Sequence, residues 1–396
     1  MSTPRNGFIR PSKDAKAMQQ NVIPFANPHA AYALRRQAII DAVVRSLDSG
    51  QYILGAEVAA FENAFAAYLG VASVVGCASG TDALELALRG MGAGPGKAVF
   101  TVAHTAVATG AAICRAGAVP VLVDIEPDTF TMSPRSLALA LEHLRTSQPE
   151  LEPAVIIPVH LYGHPCDMDP ILDLARQYGC QVLEDCAQAH GARYKGKMVG
   201  SMGRAAAFSF YPTKNLGALG DAGGVATNDP QLAETLRVMR QYGWQQRYIS
   251  AVEGINSRLD PAQAAILSVQ LEFLDADNAA RRSIAALYDR ELAGGALSLP
   301  QAAPWAEPVY HLYVVRCPRR EQLAAYLKER GIGTAVHYPV PVHLQPAYAH
   351  CLCAPGGLRH TEAAAAEILS LPMFPQLNNQ AAEIVVETIR RWQAEP

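Results

Sequence analysis

The chain has 396 residues, of which 50% are hydrophobic and 17% are charged, and its formal net charge is −3. This length exceeds the roughly 250–300 residues at which one hydrophobic core stops growing, so we expect two packed units. The composition excludes a disordered chain, a coiled coil and a collagen-like repeat. The charge balance has no basic surplus, so we expect no nucleic-acid partner.

The cysteines and the N-terminal residues indicate the cellular compartment. Eight cysteines are scattered along the chain without recurring C-x-x-C pairs, which favours reduced, mostly buried thiols. Residues 1–20 are polar and mildly basic, without an apolar core of signal-peptide length, and we expect them to form a mobile tail. The apolar run 98–114 is shorter than the ~20 residues that span a bilayer. We therefore predict a cytoplasmic protein without a membrane segment.

Short apolar, β-branched runs alternate with alanine- and leucine-rich helical stretches over most of the chain. Such runs are typical of strands in a sheet covered on both faces, and strand–helix–strand order implies mostly parallel pairing. The runs are VASVVGC, KAVFTVA, AVPVLVDI, PAVIIPVHLYG and CQVLEDC. The sequence therefore predicts an α/β fold with a mostly parallel sheet.

The alternation of strands and helices ends at about Asp229. Helical stretches are predicted after it, at 231–241 and about 258–294. A smaller unit follows, with a predicted strand at His311–Arg316 and a predicted helix at Glu321–Gly331. We expect two domains, a large one over 21–270 and a small C-terminal α/β domain over 271–396.

Polar groups follow several of the predicted strands, and open parallel sheets bind ligands outside the carboxyl ends of their strands. The first group is CASGTDA, which closes a strand and opens a helix. Gly80 allows close backbone approach, Thr81 supplies a hydroxyl, and a helix start presents free N–H groups, which together suit a phosphate. An ordinary helix cap explains the same residues equally well.

The second group is a strand end with an acidic residue. Asp185 closes the strand VLED, and Gln188 follows three residues later. A carboxylate at a strand end inside a cleft can hold a proton on a cationic ring nitrogen. The alternative interpretation is a carboxylate that caps the next turn.

The third group places Lys214 five residues after Ser209, among apolar residues and before the glycine-dense stretch 217–224. A lysine in such surroundings loses its proton more readily and becomes an amine nucleophile. Glycines let the backbone turn tightly under a flat ligand, and the absence of a G-x-G-x-x-G fingerprint disfavours a nicotinamide enzyme. A phosphate cradle, a ring-nitrogen carboxylate, a second phosphate hydroxyl and an amine nucleophile together predict pyridoxal phosphate as cofactor.

Several sequence blocks carry a resemblance to a known family. They are CASGTDAL, VDIEPDTF, PVHLYGHPCDMD, LEDCAQAHGARYKGKMVGSMG, FSFYPTKNLGALGDAGG and NSRLDPAQAAIL. The chain, from about Asn21 to its C-terminus, resembles the DegT-type (DnrJ/StrS) sugar aminotransferases. The resemblance implies the fold-type I architecture of pyridoxal-phosphate transferases, with a mostly parallel seven-stranded sheet between helices. It also implies a homodimer with shared active sites.

The resemblance implies catalytic and cofactor-binding roles. Lys214 would form the Schiff base with the cofactor, Asp185 would pair with its pyridinium nitrogen, and Gln188 would lie near its phenolic oxygen. Three residues would hold the phosphate, namely Gly80, Thr81 and Ser209.

The resemblance also extends to residues outside these blocks. Asn256 resembles an asparagine that reaches the phosphate from the neighbouring subunit, and Arg258 an arginine that faces the substrate. The family usually has an aromatic ring stacked on the cofactor where this chain has Ala106. We expect the imidazole of His104 to take that place.

Other histidines and cysteines allow two interpretations. His160, His164 and Cys166 have vaguely metal-like spacing, but loop packing is favoured and no metal is expected. Cys351 and Cys353 are interpreted as loop thiols rather than a redox pair. Two histidines of HYPVPVH resemble residues at the family's substrate mouth, and incidental loop histidines are an equal alternative; these are His337 and His343.

The expected reaction transfers the amino group of L-glutamate to a nucleotide-linked keto sugar in amino-sugar biosynthesis. The block KNLGALGDAG resembles the relatives that aminate C3, and its small Gly-Ala-Leu-Gly loop is expected to form the floor under the sugar. We expect a dTDP-linked 3-keto-6-deoxyhexose, with Arg247 and Arg258 as candidates to meet the diphosphate. The alternatives are C4 amination, a UDP- or GDP-linked sugar, a sugar dehydratase of the same fold, or a non-enzymatic regulator. Lys214 argues against the dehydratase, whose relatives carry histidine there.

Overall fold

The computed structural model describes residues 22–395, so the expected mobile tail lies outside the described residues. Over the described range the chain forms twelve α-helices and fifteen strands. The helices are α1 (Pro28–Asp48), α2 (Ala56–Leu69), α3 (Gly80–Gly90), α4 (Val107–Arg115), α5 (Pro134–Ser147), α6 (Met168–Tyr178), α7 (Pro230–Met239), α8 (Pro261–Leu271), α9 (Leu274–Leu292), α10 (Arg320–Glu329), α11 (Arg359–Glu367) and α12 (Asn379–Ala394).

The strands follow the same numbering along the chain. They are β1 (Ser73–Cys77), β2 (Lys97–Val102), β3 (Val119–Val123), β4 (Glu152–Ile157), β5 (Gln181–Asp185), β6 (Arg193–Tyr194), β7 (Lys197–Met198), β8 (Ala205–Ser209), β9 (Gly223–Thr227), β10 (Trp244–Gln246), β11 (Ile249–Ser250), β12 (Ala306–Glu307), β13 (Tyr313–Arg316), β14 (Leu352–Cys353) and β15 (Ile368–Leu371).

Eight strands form the central sheet, in the order β1-β9-β8-β5-β4-β2-β3-β14. Strand β9 is antiparallel to both of its neighbours, and every other pair in this sheet is parallel. The predicted α/β fold with a mostly parallel sheet is confirmed. The predicted count of seven strands is wrong by one, because the short β14 near the C-terminus pairs with β3 at the edge.

The apolar strand sequences follow from burial on both faces. In β2, Val99 packs into a cluster with α3, α4 and α7, whereas the next residue, Phe100, packs into a cluster with α5 and α6. Both side chains are fully buried. A sheet between two helical layers needs apolar residues at successive positions, which explains the missing alternation.

The C-terminal region has its own core. Strands β13 and β15 pair antiparallel, and a cluster that includes Tyr313, Leu323 and Ile389 joins them to α9, α10 and α12. Helix α8 packs against α1 and α2, whereas α9 packs against α12. The domain boundary at 270/271 stays a prediction, and this change of packing partners supports it. Within residues 22–395, no helix is both long enough and apolar enough to cross a bilayer.

Candidate active site

A cavity lies at the carboxyl ends of β1, β2, β5 and β8, where the parallel sheet topology brings the predicted polar groups together. It holds about 790 Å³ of open space, including its mouth. Its lining comprises Ser79, Gly80, Thr81, Leu84, Thr105, Ala106, Ala108, Thr109, Val159, Leu161, Asp185, Ala187, Gln188, Ser209, Tyr211, Lys214, Asp221 and Ala222. Six predicted site residues are therefore in one place.

One end of the cavity is the N-terminus of α3. Ser79 caps this helix, since its Oγ accepts a 3.1 Å hydrogen bond from the N–H of Asp82. The first N–H groups of a helix, here those of Gly80 and Thr81, lack partners within it and carry its positive dipole end. A Cβ at Gly80 would lie 2.5 Å from Cβ of Ser209. Glycine is thus required for the backbone to approach Ser209, and the three residues form a cradle for a phosphate.

Asp185 lines the same cavity, at the end of β5. Its Oδ2 accepts a 2.9 Å hydrogen bond from Thr109, and its Oδ1 accepts a 3.2 Å hydrogen bond from the N–H of Ala187. Burial raises the pKa of Asp185, while these hydrogen bonds and the charge of Lys214 oppose the rise. A buried carboxylate held in this way gains most from a cationic partner such as a protonated ring nitrogen.

Lys214 lies on the loop after β8 and lines the same cavity. A turn positions it, in which its N–H donates a 2.8 Å hydrogen bond to the carbonyl of Tyr211. Burial lowers the pKa of Lys214 to about 8, and the charge of Asp185 opposes this shift. The amine is therefore closer to its neutral, nucleophilic form than an ordinary lysine.

Gln188 connects the cavity to a distant segment. Its Oε1 accepts a 2.7 Å hydrogen bond from the N–H of Tyr162, and its Nε2 donates a 3.1 Å hydrogen bond to the hydroxyl of Tyr338. Sequence reasoning selected His337 and missed its neighbour Tyr338. It also missed Thr109, which lies in the first turn of α4.

His104 is not among the residues that line the cavity, whereas Thr105 and Ala106 are. It is 1% exposed, and its Nε2 lies 2.8 Å from the hydroxyl of Tyr162. The geometry therefore gives no support to the prediction that its imidazole stacks on the cofactor. Burial lowers the pKa of His104 to about 4.

The loop after Lys214 contributes to two openings. Asp221 and Ala222 line the cavity, whereas Gly217 and Leu219 line a neighbouring cleft that Lys214 also lines. The Leu219 N–H donates a 2.9 Å hydrogen bond to Gln263. The Gly-Ala-Leu-Gly turn is thus tied to α8, and its contact with the sugar stays a prediction.

Asn256 and Arg258 do not line the cavity of their own chain. Between them, Ser257 is buried, accepts a hydrogen bond from the N–H of Ala78 at 3.0 Å and donates one to Asp82 at 2.8 Å. Asn256 is exposed and Arg258 is half-buried. The segment is thus tied to the start of α3 by its middle residue.

The other predicted residues lie near the site or apart from it. The carbonyl of His337 accepts a hydrogen bond from the hydroxyl of Tyr162, and the His337 Nδ1 lies 2.9 Å from Oγ of Ser370. His343 does not line the cavity, and its Nε2 lies 3.1 Å from a carboxylate oxygen of Glu362. The structure therefore places His337 beside the site and His343 outside it.

The histidines with metal-like spacing take part in hydrogen bonds. Nδ1 of His160 accepts a 2.9 Å hydrogen bond from the N–H of Cys166, so its Nε2 carries the proton and donates to Glu184 at 3.1 Å. His164 accepts a 3.1 Å hydrogen bond from the N–H of Ala303. His160, Glu184 and Cys186 lie close together and are buried, but both nitrogens of His160 are already used. All eight cysteines are free.

The polar groups that line the cavity fit pyridoxal phosphate. The α3 N-terminus and Ser209 offer donors for a phosphate at one end, Asp185 offers a buried carboxylate for the ring nitrogen, and Lys214 offers an amine for the aldehyde. A Cβ at Gly223 would lie 2.3 Å from the carbonyl of Ser79, so the backbone around the phosphate end admits glycine only.

Comparisons with known proteins agree with this geometry. A family model described as the DegT/DnrJ/EryC1/StrS aminotransferase family matches residues 34–390. The chain belongs to this family. The dTDP-3-amino-3,4,6-trideoxy-alpha-D-glucose transaminase of Streptomyces venezuelae is 47% identical over 371 residues, which cover 93% of this chain and 96% of that protein.

Two solved structures extend the comparison. S. venezuelae DesV, crystallised in complex with a ketimine intermediate, has a TM-score of 0.90 at 46% identity and covers 95% of this chain and 99% of its own. NtdA from Bacillus subtilis, crystallised with bound cofactor PMP, has a TM-score of 0.81 at 29% identity and covers 91% of this chain and 82% of its own. The aminotransferase described here uses pyridoxal phosphate, as predicted.

Proposed function

We propose that this aminotransferase transfers the amino group of L-glutamate to C3 of a nucleotide-linked 3-keto sugar, namely a dTDP-linked 3-keto-6-deoxyhexose, in amino-sugar biosynthesis. The observation that carries the chemistry is the pair of Lys214, with its lowered pKa, and Asp185 on one cavity. The sugar and the C3 position are supported by the name of the S. venezuelae relative and by the block KNLGALGDAG.

Each residue of the site has a separate role in the proposed reaction. Pyridoxal phosphate, when bound, supplies a ring that accepts the electron pair left behind when a proton is removed from carbon. Lys214 Nζ removes that proton from the amino donor and returns a proton, the step that a positioned general base accelerates by about 10²–10⁴-fold. Asp185 would hold the proton on the ring nitrogen. Gly80, Thr81 and Ser209 would hold the phosphate, and Gln188 would lie beside the ring.

We also propose a cytoplasmic homodimer in which each subunit completes the site of the other. Ser257 faces its own chain, so its two neighbours, Asn256 and Arg258, are free to face a partner. Asn256 would then reach the phosphate of the partner's cofactor, and Arg258 its substrate. Arg247 lies between the short strands β10 and β11, with its guanidinium carbon 5.0 Å from the ring centre of Tyr248, and is a second candidate for the diphosphate.

The experiment is a comparison of keto sugars with L-glutamate as donor. The purified protein is given a 3-keto or a 4-keto 6-deoxyhexose, each linked to dTDP or to UDP, and release of 2-oxoglutarate is measured. We expect turnover with the dTDP-linked 3-keto sugar, and Lys214→Ala as the matched control should be inactive. Turnover of the 4-keto or UDP-linked sugar alone would replace the proposed substrate. Loss of a hydroxyl without release of 2-oxoglutarate would indicate the dehydratase reaction, and absence of any reaction would reject all four of these keto sugars as substrates.

A further inference from the structure

Tyr162 joins two parts of the molecule that lie far apart in sequence. Its hydroxyl donates to the carbonyl of His337, and its backbone N–H donates to Oε1 of Gln188 at 2.7 Å. Gln188 in turn donates to the hydroxyl of Tyr338 at 3.1 Å. Tyr162 and Gln188 thus hold the segment His337–Tyr338 from one side, and Gln188 lines the cofactor cavity.

The direction of each hydrogen bond follows from the chemistry of its groups. A carbonyl oxygen can only accept, so the hydroxyl proton of Tyr162 points to His337. The nitrogen Nε2 of His104, 2.8 Å from the same hydroxyl oxygen, must then be the donor. His104 is therefore the Nε2–H tautomer, and burial keeps it neutral by lowering its pKa to about 4. His104 therefore donates to the hydroxyl of Tyr162, and that hydroxyl donates to the carbonyl of His337.

The backbone of Tyr162 is strained. Its φ of 59° and ψ of 6° lie in the left-handed region, which a bulky residue rarely adopts. Such a conformation costs about 1–3 kcal/mol and persists only where the surroundings fix it. The residue is 6% exposed, and its ring makes edge contacts with the rings of Phe130 and His104, at 5.6 and 6.0 Å between ring centres. The protein maintains an unfavourable conformation at the residue whose N–H and hydroxyl make these two contacts.

The segment 336–341 has anchors at its ends. Ala335 pairs with Ser370 through two backbone hydrogen bonds, and the N–H of Val342 donates to the carbonyl of Ala103 at 3.0 Å. Between these anchors, His337 Nδ1 lies 2.9 Å from Oγ of Ser370. Tyr162 and Gln188 contact the same stretch through the His337 carbonyl and the Tyr338 hydroxyl.

We propose that Tyr162, with His104 as its fixed donor, is a positioning residue that holds the His337–Tyr338 segment against the cofactor-facing Gln188. This inference rests on the proposed function in one respect, namely that the segment faces the keto sugar. It gives His104 a role that differs from stacking on the cofactor. Loss of the Tyr162 hydroxyl would release the segment without moving Lys214 or Asp185.

The test is Tyr162→Phe, which keeps the ring and removes the hydroxyl. Hydrogen exchange of the peptide covering 333–343, in which the N–H groups of Gly333, Ala335 and Val342 are hydrogen-bonded, is measured by mass spectrometry on the cofactor-free protein, where it does not depend on turnover. A net hydrogen bond of about 1–1.5 kcal/mol predicts roughly tenfold faster exchange in this peptide. In the loaded enzyme we expect KM for the keto sugar to rise by a similar factor, with little change in the glutamate half-reaction.

The control is Tyr288→Phe, which removes another buried hydroxyl, one that donates to the carbonyl of Pro372 at 3.0 Å. It should leave exchange at 333–343 unchanged. Should Tyr162→Phe fold poorly, His104→Leu and His104→Gln give the same test, because glutamine keeps a donor near the position of Nε2 and leucine does not. Faster exchange with leucine and near-normal exchange with glutamine would support the proposal.

Unchanged exchange at 333–343 in both Tyr162→Phe and His104→Leu would overturn the positioning role. The proposed function would still stand if the wild-type protein aminates the keto sugar. Conversely, faster exchange in a protein that never accepts a keto sugar would support the positioning role and reject the proposed substrate.

Discussion

The hydroxyl of Thr109 donates a 2.9 Å hydrogen bond to Oδ2 of Asp185, and both residues are buried at the floor of the cofactor cavity. Oγ1 of Thr105 lies 3.1 Å from that of Thr109. The first turn of α4 therefore fixes the orientation of the carboxylate at the end of β5. The distance between Thr109 and Asp185 in sequence gave no indication of this contact.

Thr109→Val should weaken cofactor binding. Valine keeps the shape and removes the donor, so Oδ2 of Asp185 loses a charge-assisted hydrogen bond. We expect the Kd for pyridoxal phosphate to rise roughly tenfold or more, since such bonds contribute about 1.5–3 kcal/mol. An absorbance titration of the cofactor-free protein measures this Kd. Thr109→Ser keeps the hydroxyl and should bind nearly as the wild type; equal Kd values for valine and serine would contradict the assignment.

Lys214 should react as an amine at lower pH than surface lysines. With a pKa of about 8, roughly a tenth of its amine is neutral at pH 7, against less than about 0.1% for an ordinary lysine near 10.4. Labelling the cofactor-free protein with a small aldehyde and cyanoborohydride, followed by peptide mapping, should show Lys214 modified first, with a midpoint near pH 8. The exposed Lys328 is the internal comparison. Equal labelling rates at both lysines would contradict the lowered pKa.

Mixing two inactive variants should restore activity if the sites are shared. Lys214→Ala removes the amine from a subunit's own site, and Asn256→Ala removes the phosphate contact that the subunit makes in its partner's site. A mixed dimer therefore has one intact site and one doubly damaged site. Random exchange of subunits then predicts about a quarter of the wild-type activity. Native mass spectrometry should confirm that mixed dimers have formed. Their presence without activity would show that Asn256 serves its own chain.

Acid should destabilise the cofactor-free protein through its buried histidines. Burial lowers the pKa of His104 to about 4 and that of His190 to about 3. Between pH 6.5 and these values, the unfolded chain binds protons that the folded protein does not, so stability falls as pH falls. At pH 5 the loss is roughly 2 kcal/mol for each such histidine.

Urea unfolding at pH 7 and pH 5 measures this loss, with His104→Gln as the matched variant. Between pH 7 and pH 5, the free energy of unfolding of His104→Gln should fall by roughly 2 kcal/mol less than that of the wild type. An equal loss in both proteins would show that His104 does not contribute to the loss of stability between pH 7 and pH 5.

The sequence predicted those parts of the site that lie on the strand ends. Asp185 and Lys214 were found because a carboxylate at a strand end and a lysine among apolar residues, each with an ordinary explanation alone, fit one cofactor when taken with the phosphate cradle. Gly80 and Ser209 followed from the requirement for a phosphate cradle. The parallel order of β1, β5 and β8 then brings these groups together, because the carboxyl ends of parallel strands share one edge.

The parts that failed depend on side-chain direction and on distant contacts. Two positions separate His104 from Ala106, but the chain turns after β2, so spacing did not reveal that His104 faces Tyr162. Tyr338 meets Gln188 across 150 residues, and no local pattern encodes such a contact. The eighth strand, β14, has only two residues, which is too short to show strand periodicity.

The central claim, amino transfer to C3, is tested most directly by following the nitrogen itself. The protein is incubated with L-glutamate labelled with nitrogen-15 and a dTDP-linked 3-keto-6-deoxyhexose, and the product is examined by two-dimensional proton–nitrogen NMR. The account predicts that the labelled nitrogen correlates with the proton on C3 of the hexose, and that Lys214→Ala gives no such signal. A parallel incubation contains the 4-keto sugar. A labelled nitrogen on C4 in that incubation, with no labelled product from the 3-keto sugar, would contradict amino transfer to C3.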